Sequence, residues 1–273
     1  MVKFHTGSEY FRNRIILILK NKSANLQTEG RTGENPVPTV KVRMGKEKNM
    51  SRLTSSNKLR RIVLVAVFGA LAYALMLVIH FKVSFLTLDL KDAVITLSGL
   101  YFGPGAALSL SLLVPLLELI SVSDTGIYGF LMNFISTATL SVTASLIYRY
   151  KRSLLGAIIA LLSAAAATVG VMMLFNLWIT PYYMGVPVQT VKSMIPTLLL
   201  PFNTVKSCMN VGFVLLLYKP ISAVMQRMKL IEKHSQQQKI DWKTIAVAVL
   251  ALTLIAVSLG IVFGVLGGSF EWR

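Results

Sequence analysis

Residues 154–180 read LLGAIIALLSAAAATVGVMMLFNLWIT, without one charged side chain. A helix needs about 20 apolar residues to cross the ~30 Å hydrocarbon layer of a bilayer, and there every backbone N–H and C=O must be satisfied inside the protein. That one segment decides the solvent. Composition agrees: 54% of residues are hydrophobic, 14% are charged and mean hydropathy is +0.65, whereas a soluble domain carries about 25% charged residues. The expected fold class is an all-α membrane protein.

Seven helices are expected, over residues 62–81, 92–102, 105–122, 127–148, 154–180, 195–218 and 244–265. Turn-formers separate them: GPG at 103–105, SDTG at 123–126, and Pro181 and Pro187 in a long fifth connection. The first 57 residues form a polar, basic extension in which RTGENPVPTVK reads as turn and coil and RIILIL is too short to span a bilayer. Met50 opens MSRLTSSNKLRR, a basic lead into a hydrophobic helix and the expected natural start. Residues 58–229 then form a six-helix domain, 230–243 a basic linker, and 244–273 an additional transmembrane helix.

The formal charge is +17, and its excess lies outside the apolar runs. The loop YRYKRS carries Arg149, Lys151 and Arg152, and the late linker carries Arg227, Lys229, Lys233, Lys239 and Lys243. Under the positive-inside rule these segments and the N-terminus are cytoplasmic. The outer connections then hold only Lys82, Lys91 and Lys192. The basic residues lack interleaved aromatics, so no nucleic-acid partner is expected. The outer segments FKVSFLTLDLK and TPYYMGVPVQTVKSM are too long and apolar for plain turns, and read either as lids or as loops in the headgroup layer.

Polar residues inside spans carry the chemistry. In PFNTVKSCMN, Asn203, Lys206 and Asn210 fall on one helical face, and a Lys near the bilayer centre costs about 2.5–3.5 kcal/mol on insertion scales. Pro201 withholds an N–H and can open the outer turn, so Asn203 and Lys206 can line a wet cavity near the outer face. Asn176 lies at similar depth, with Trp178, Tyr182 and Tyr183 close by in sequence. Three such donors suit a flat, uncharged, hydrogen-bonding ring. Alternatively they tie helices together or pair with Glu118. Asn133 and Asn210 read as interhelical ties. Ala66, Ala70 and Ala74 recur every fourth residue, a ridge that admits a close helix either within the bundle or from a partner.

Catalysis finds no support. His5, His80 and His234 lie outside the spans or at a helix end, no HExxH or Walker A motif occurs, and Cys208 is single, so neither a disulfide nor a multi-cysteine metal site is expected.

LTLDLKDAVITLSGLYFGPGAAL, GFLMNFIS, NLWITPYY and PFNTVKSCMN together resemble the substrate-binding (S) subunit of energy-coupling-factor (ECF) vitamin transporters, within it the riboflavin-binding RibU family. The resemblance covers about residues 58–229. It implies a six-helix bundle of the bacterial cell membrane whose first outer loop closes over a vitamin. It implies no resident cofactor and no ATPase of its own: a coupling subunit of the EcfT type and two ATPases of the EcfA type supply the energy. Asn176, Asn203 and Lys206, with Leu88, Leu90 and Tyr182, would hold riboflavin, while Ala66, Ala70 and Ala74 would face the coupling subunit. Many relatives have a Lys-Asn pair late in the third helix where this chain has Glu118, and the seventh helix lies outside the pattern. Thiamine or a biotin-like compound is the nearest alternative ligand, and a membrane enzyme or scaffold the distant alternative. In the extension, GENP and PTVKVR can be encoded by GGUGAAAAUCC and CCGACGGUAAAAGUCCG, which resemble stretches of the flavin-mononucleotide riboswitch. On that reading the residues before Met50 are translated leader RNA.

Overall fold

The structure is a computed structural model that describes residues 39–228 and 242–270. The linker expected at 230–243 and most of the extension expected at 1–57 lie outside the described residues. Eight α-helices and three short strands are described: α1 (Thr39–Val78), β1 (His80–Val83), β2 (Leu86–Asp89), α2 (Lys91–Phe102), α3 (Pro104–Ser121), α4 (Gly126–Tyr148), α5 (Leu154–Met184), α6 (Val188–Met194), α7 (Leu200–Arg227), α8 (Trp242–Gly264) and β3 (Ser269–Phe270). Among the described residues, six helical segments are long and apolar enough to cross a membrane: Lys58–Val78, α3, α4, α5, Val188–Arg227 and Thr244–Gly264. The chain is thus a multi-pass membrane protein. The short α2 is enclosed by the longer helices, with nearly every residue from Lys91 to Phe102 buried.

Three departures from the sequence reading shape the outer end. The first outer connection is a β-hairpin, with Val83 paired to Leu86 and His80 to Asp89. Ser84 takes φ 54° there, because so tight a turn needs a residue in the left-handed region. Helix α5 does not stop at Pro181 but ends at Gly185, whose left-handed φ of 65° lets its N–H bond the Pro181 carbonyl. The fifth connection holds α6 and then a wide π-turn, Ile195–Leu199, beside Pro196 and Pro201, neither of which has an N–H to give. The segment read as coil before Met50 also enters α1 from Thr39.

Helix α8 packs along α7. A side chain at Gly212 would begin 2.9 Å from the Ala251 carbonyl oxygen and 2.9 Å from Ile255 Cγ1, so the approach is backbone-close. Past α8 the chain turns back and β3 pairs antiparallel with β1, giving the strand order β2-β1-β3. A Gly212→Leu variant should therefore unseat α8, lowering stability in a detergent unfolding titration by about 1–3 kcal/mol, the usual cost of overpacking; an unchanged transition would contradict this seating.

Candidate functional site

A cavity of about 220 Å³ opens at the end of the bundle where the hairpin sits. Its walls come from the hairpin (Phe85, Leu86, Thr87), the α3–α4 turn, α4 (Tyr128, Asn133, Ser136), α5 (Asn176, Thr180, Tyr183) and α7 (Phe202, Asn203, Lys206). The mouth is aromatic, with Tyr183 6.0 Å from Phe85 and 6.1 Å from Tyr128 between ring centres. At the rim Lys82 meets Asp124 at 3.5 Å.

The floor is ionic. Lys91 has 0% exposure, and its ammonium lies 2.6 Å from Asp89 Oδ2 and 3.0 Å from Glu118 Oε2. Asn133 Nδ2 donates to the same Glu118 oxygen at 3.0 Å. Asp92 accepts from Thr137 Oγ1 at 2.5 Å. Lys206 is held more loosely: Nζ donates to the Thr87 carbonyl at 3.3 Å and lies 3.5 Å from Asp89 and 3.7 Å from Asp92. Burial pushes the Asp89 carboxyl up, but Lys206 and Lys91 outweigh it and hold the group down at about 2. Three carboxylates and two ammonium groups thus compensate one another where water is scarce.

Asn176, Asn203 and Lys206 converge on the cavity. Asn176 donates to the Met172 carbonyl at 2.7 Å and accepts from Thr180 at 3.0 Å; Asn203 donates to Leu199 O at 2.8 Å. These are bonds within each asparagine's own helix. Each amide has two N–H groups, and these bonds use one of each. Asn210 instead donates to the Asp89 carbonyl of the hairpin at 3.4 Å and to the Lys206 carbonyl of its own helix at 3.0 Å, so it ties α7 to the hairpin rather than to another helix.

Other expectations are corrected. Leu88 and Leu90 do not line the cavity; they are buried against Val83, Phe202, Val205, Met209 and Val262. The two-residue period separates them from Thr87 and Asp89, which meet Lys206. Tyr182 is 70% exposed and Trp178 is exposed too, because the cavity face of α5 runs through Met172, Asn176, Ile179, Thr180 and Tyr183 at helical spacing. Lys206 pairs with Asp89 and Asp92 rather than with Glu118, whose partner is Lys91. Lys91 itself is no outer-loop charge but the most enclosed cation described. Asn133, read as a tie only, also lines the cavity; its spacing with Gly129 and Ser136 was the available signal. Ala66, Ala70 and Ala74 are exposed while Phe68, Ala72 and Met76 point inward, so the ridge is not covered by any of the described residues.

The family model for the substrate-specific component of ECF transporters matches residues 60–222. The chain belongs to that family. A curated relative, "Riboflavin transporter RibU" of Staphylococcus aureus (strain TCH60), is 28% identical over 189 residues, covering 66% of this chain and 99% of the relative. A solved structure described as "Structure and mechanism of the S component of a bacterial ECF transporter" superposes with a TM-score of 0.54 at 27% identity, covering 62% of this chain and 99% of that one. This S component is a substrate-binding part of a membrane transporter, and the matched residues stop before α8. Removing one partner of a buried ion pair typically costs about 3–5 kcal/mol. The Lys91→Met form of this S component should show a loss of that size in detergent unfolding, and a loss below about 1 kcal/mol would mean that Lys91 does not brace the floor.

Proposed function

We propose that this S component captures riboflavin from outside the cell and releases it inward when docked to an ATP-driven module. The observation that carries the reading is the meeting of Asn176, Asn203 and Lys206 in one cavity beneath an aromatic mouth. The edge of an isoalloxazine ring offers carbonyls and ring nitrogens to amides and an ammonium, and its faces suit flanking rings. Lys206 is placed to answer such a guest, because its protein contacts all lie at 3.3 Å or more whereas those of Lys91 are 2.6 and 3.0 Å. The named activity of the staphylococcal relative supports the same ligand.

The exposed ridge of Ala66, Ala70 and Ala74 would receive the EcfT-type coupling subunit, with two EcfA-type ATPases beneath it. Small residues let a partner helix approach closely in lipid. The cavity opens at the end of α4 and α5 opposite the loop bearing Arg149, Lys151 and Arg152, so positive-inside orientation points it outward and puts the N-terminus in the cytoplasm.

Riboflavin fluorescence quenching by the purified protein tests the ligand. Loss of a charge-assisted hydrogen bond worth roughly 1.5–3 kcal/mol predicts that Lys206→Ala weakens binding about 10- to 150-fold; unchanged affinity would return Lys206 to a purely structural role. Ala70→Leu should leave binding intact and abolish most uptake in cells that carry the coupling module, whereas full uptake would remove the ridge from the partner interface.

A further inference from the structure

We propose that α8 and β3 form a strap that restrains the hairpin over the cavity and so sets how fast ligand enters and leaves. The strap rests on the cavity being the ligand site, as in the proposed function.

The hairpin supplies cavity wall, yet a two-stranded hairpin alone is marginally stable, and a third strand or a packed helix is needed to hold it. This chain supplies both. Strand β3 covers the outer edge of β1, with Phe81 opposite Phe270 and Lys82 opposite Ser269. Beneath it, Phe81 meets Phe263 of α8 edge-on at 5.6 Å, and Val262 is buried in the cluster that holds Val83, Leu88 and Leu90. The join is tight. Gly267 takes φ 62° to turn the chain, and the Gly268 N–H bonds the Val262 carbonyl at 2.8 Å. A side chain at Gly268 would start 2.5 Å from Val262 Cγ1 and 3.2 Å from Val83 Cγ2.

Two strand residues would bind weakly if free. Anchored through α8 to α7 at the Gly212 contact, they are presented to β1 at high effective concentration, so a short strand suffices. A helix serving only as a membrane anchor would need neither the return strand nor the contact with the hairpin's apolar face. Family-matched residues end at 222, so the strap lies outside the matched bundle.

The test compares the full chain with its Gly268→Val form and with a chain ending after Leu266, using amide hydrogen exchange of residues 80–89 without ligand and the riboflavin dissociation rate. Both changes should speed hairpin exchange and riboflavin release about tenfold or more, leaving the protection of α2 and α4 unaltered. Unchanged hairpin exchange in both variants would overturn the strap, and so would loss of protection throughout the bundle, which would make β3 a general stabiliser. If the full chain ignores riboflavin, the ligand assignment falls while the amide comparison still decides the strap.

Discussion

Charge buried where water cannot reach has to be compensated by geometry, and the floor of the cavity is built around that demand. Lys91 sits at the first turn of α2 with no exposure, clamped between Asp89 of the hairpin and Glu118 of α3. Asp89 and Asp92 in turn face Lys206 of α7. The hairpin, α2, α3 and α7 are thereby held in one register, since displacing any of them strands a charge in a low-dielectric interior. Apolar contacts alone would let these helices slide with little specificity in lipid.

The two ends of the bundle divide the work. The end away from the cavity is closed by packing and by a buried tyrosine group, in which Tyr148 and Tyr218 share a 2.6 Å hydroxyl contact and Tyr101 donates to the Tyr218 carbonyl at 2.7 Å. The cavity end keeps its polar groups half-answered: the asparagines are bonded to their own helices, and Lys206 is loosely paired beside them. A site that is ordered before its guest arrives loses little entropy on binding. On the proposal made above, the stiffness of the hairpin is the kinetic control on a guest's entry.

Much of this was legible in the residues. Charge-free runs place the spans to within a few residues except the sixth, which runs on from the expected end at Tyr218 to Arg227, and the i, i+3, i+7 spacing in PFNTVKSCMN puts Asn203, Lys206 and Asn210 on one inward face. The burial of Lys91 was not legible, because a cation two residues after FLTLD reads as loop charge unless the 12-residue α2 is known to be enclosed by its neighbours. Leu88 and Tyr182 were misjudged for a related reason: composition names a lid but not which edge of a strand or helix faces inward. The partner of α8 was also hidden, since strand pairing between residues 81 and 270 leaves no local mark in two residues of sequence.

The central claim is that a planar guest from outside the cell satisfies the amides and ammonium facing this cavity. Mass spectrometry of whatever small molecule copurifies with the full chain from flavin-fed cells addresses it most directly. The account predicts riboflavin near one per chain, displaced by added flavin and lost in the triple alanine variant of Asn176, Asn203 and Lys206. A chain that carries no flavin and takes up none when it is supplied would contradict it.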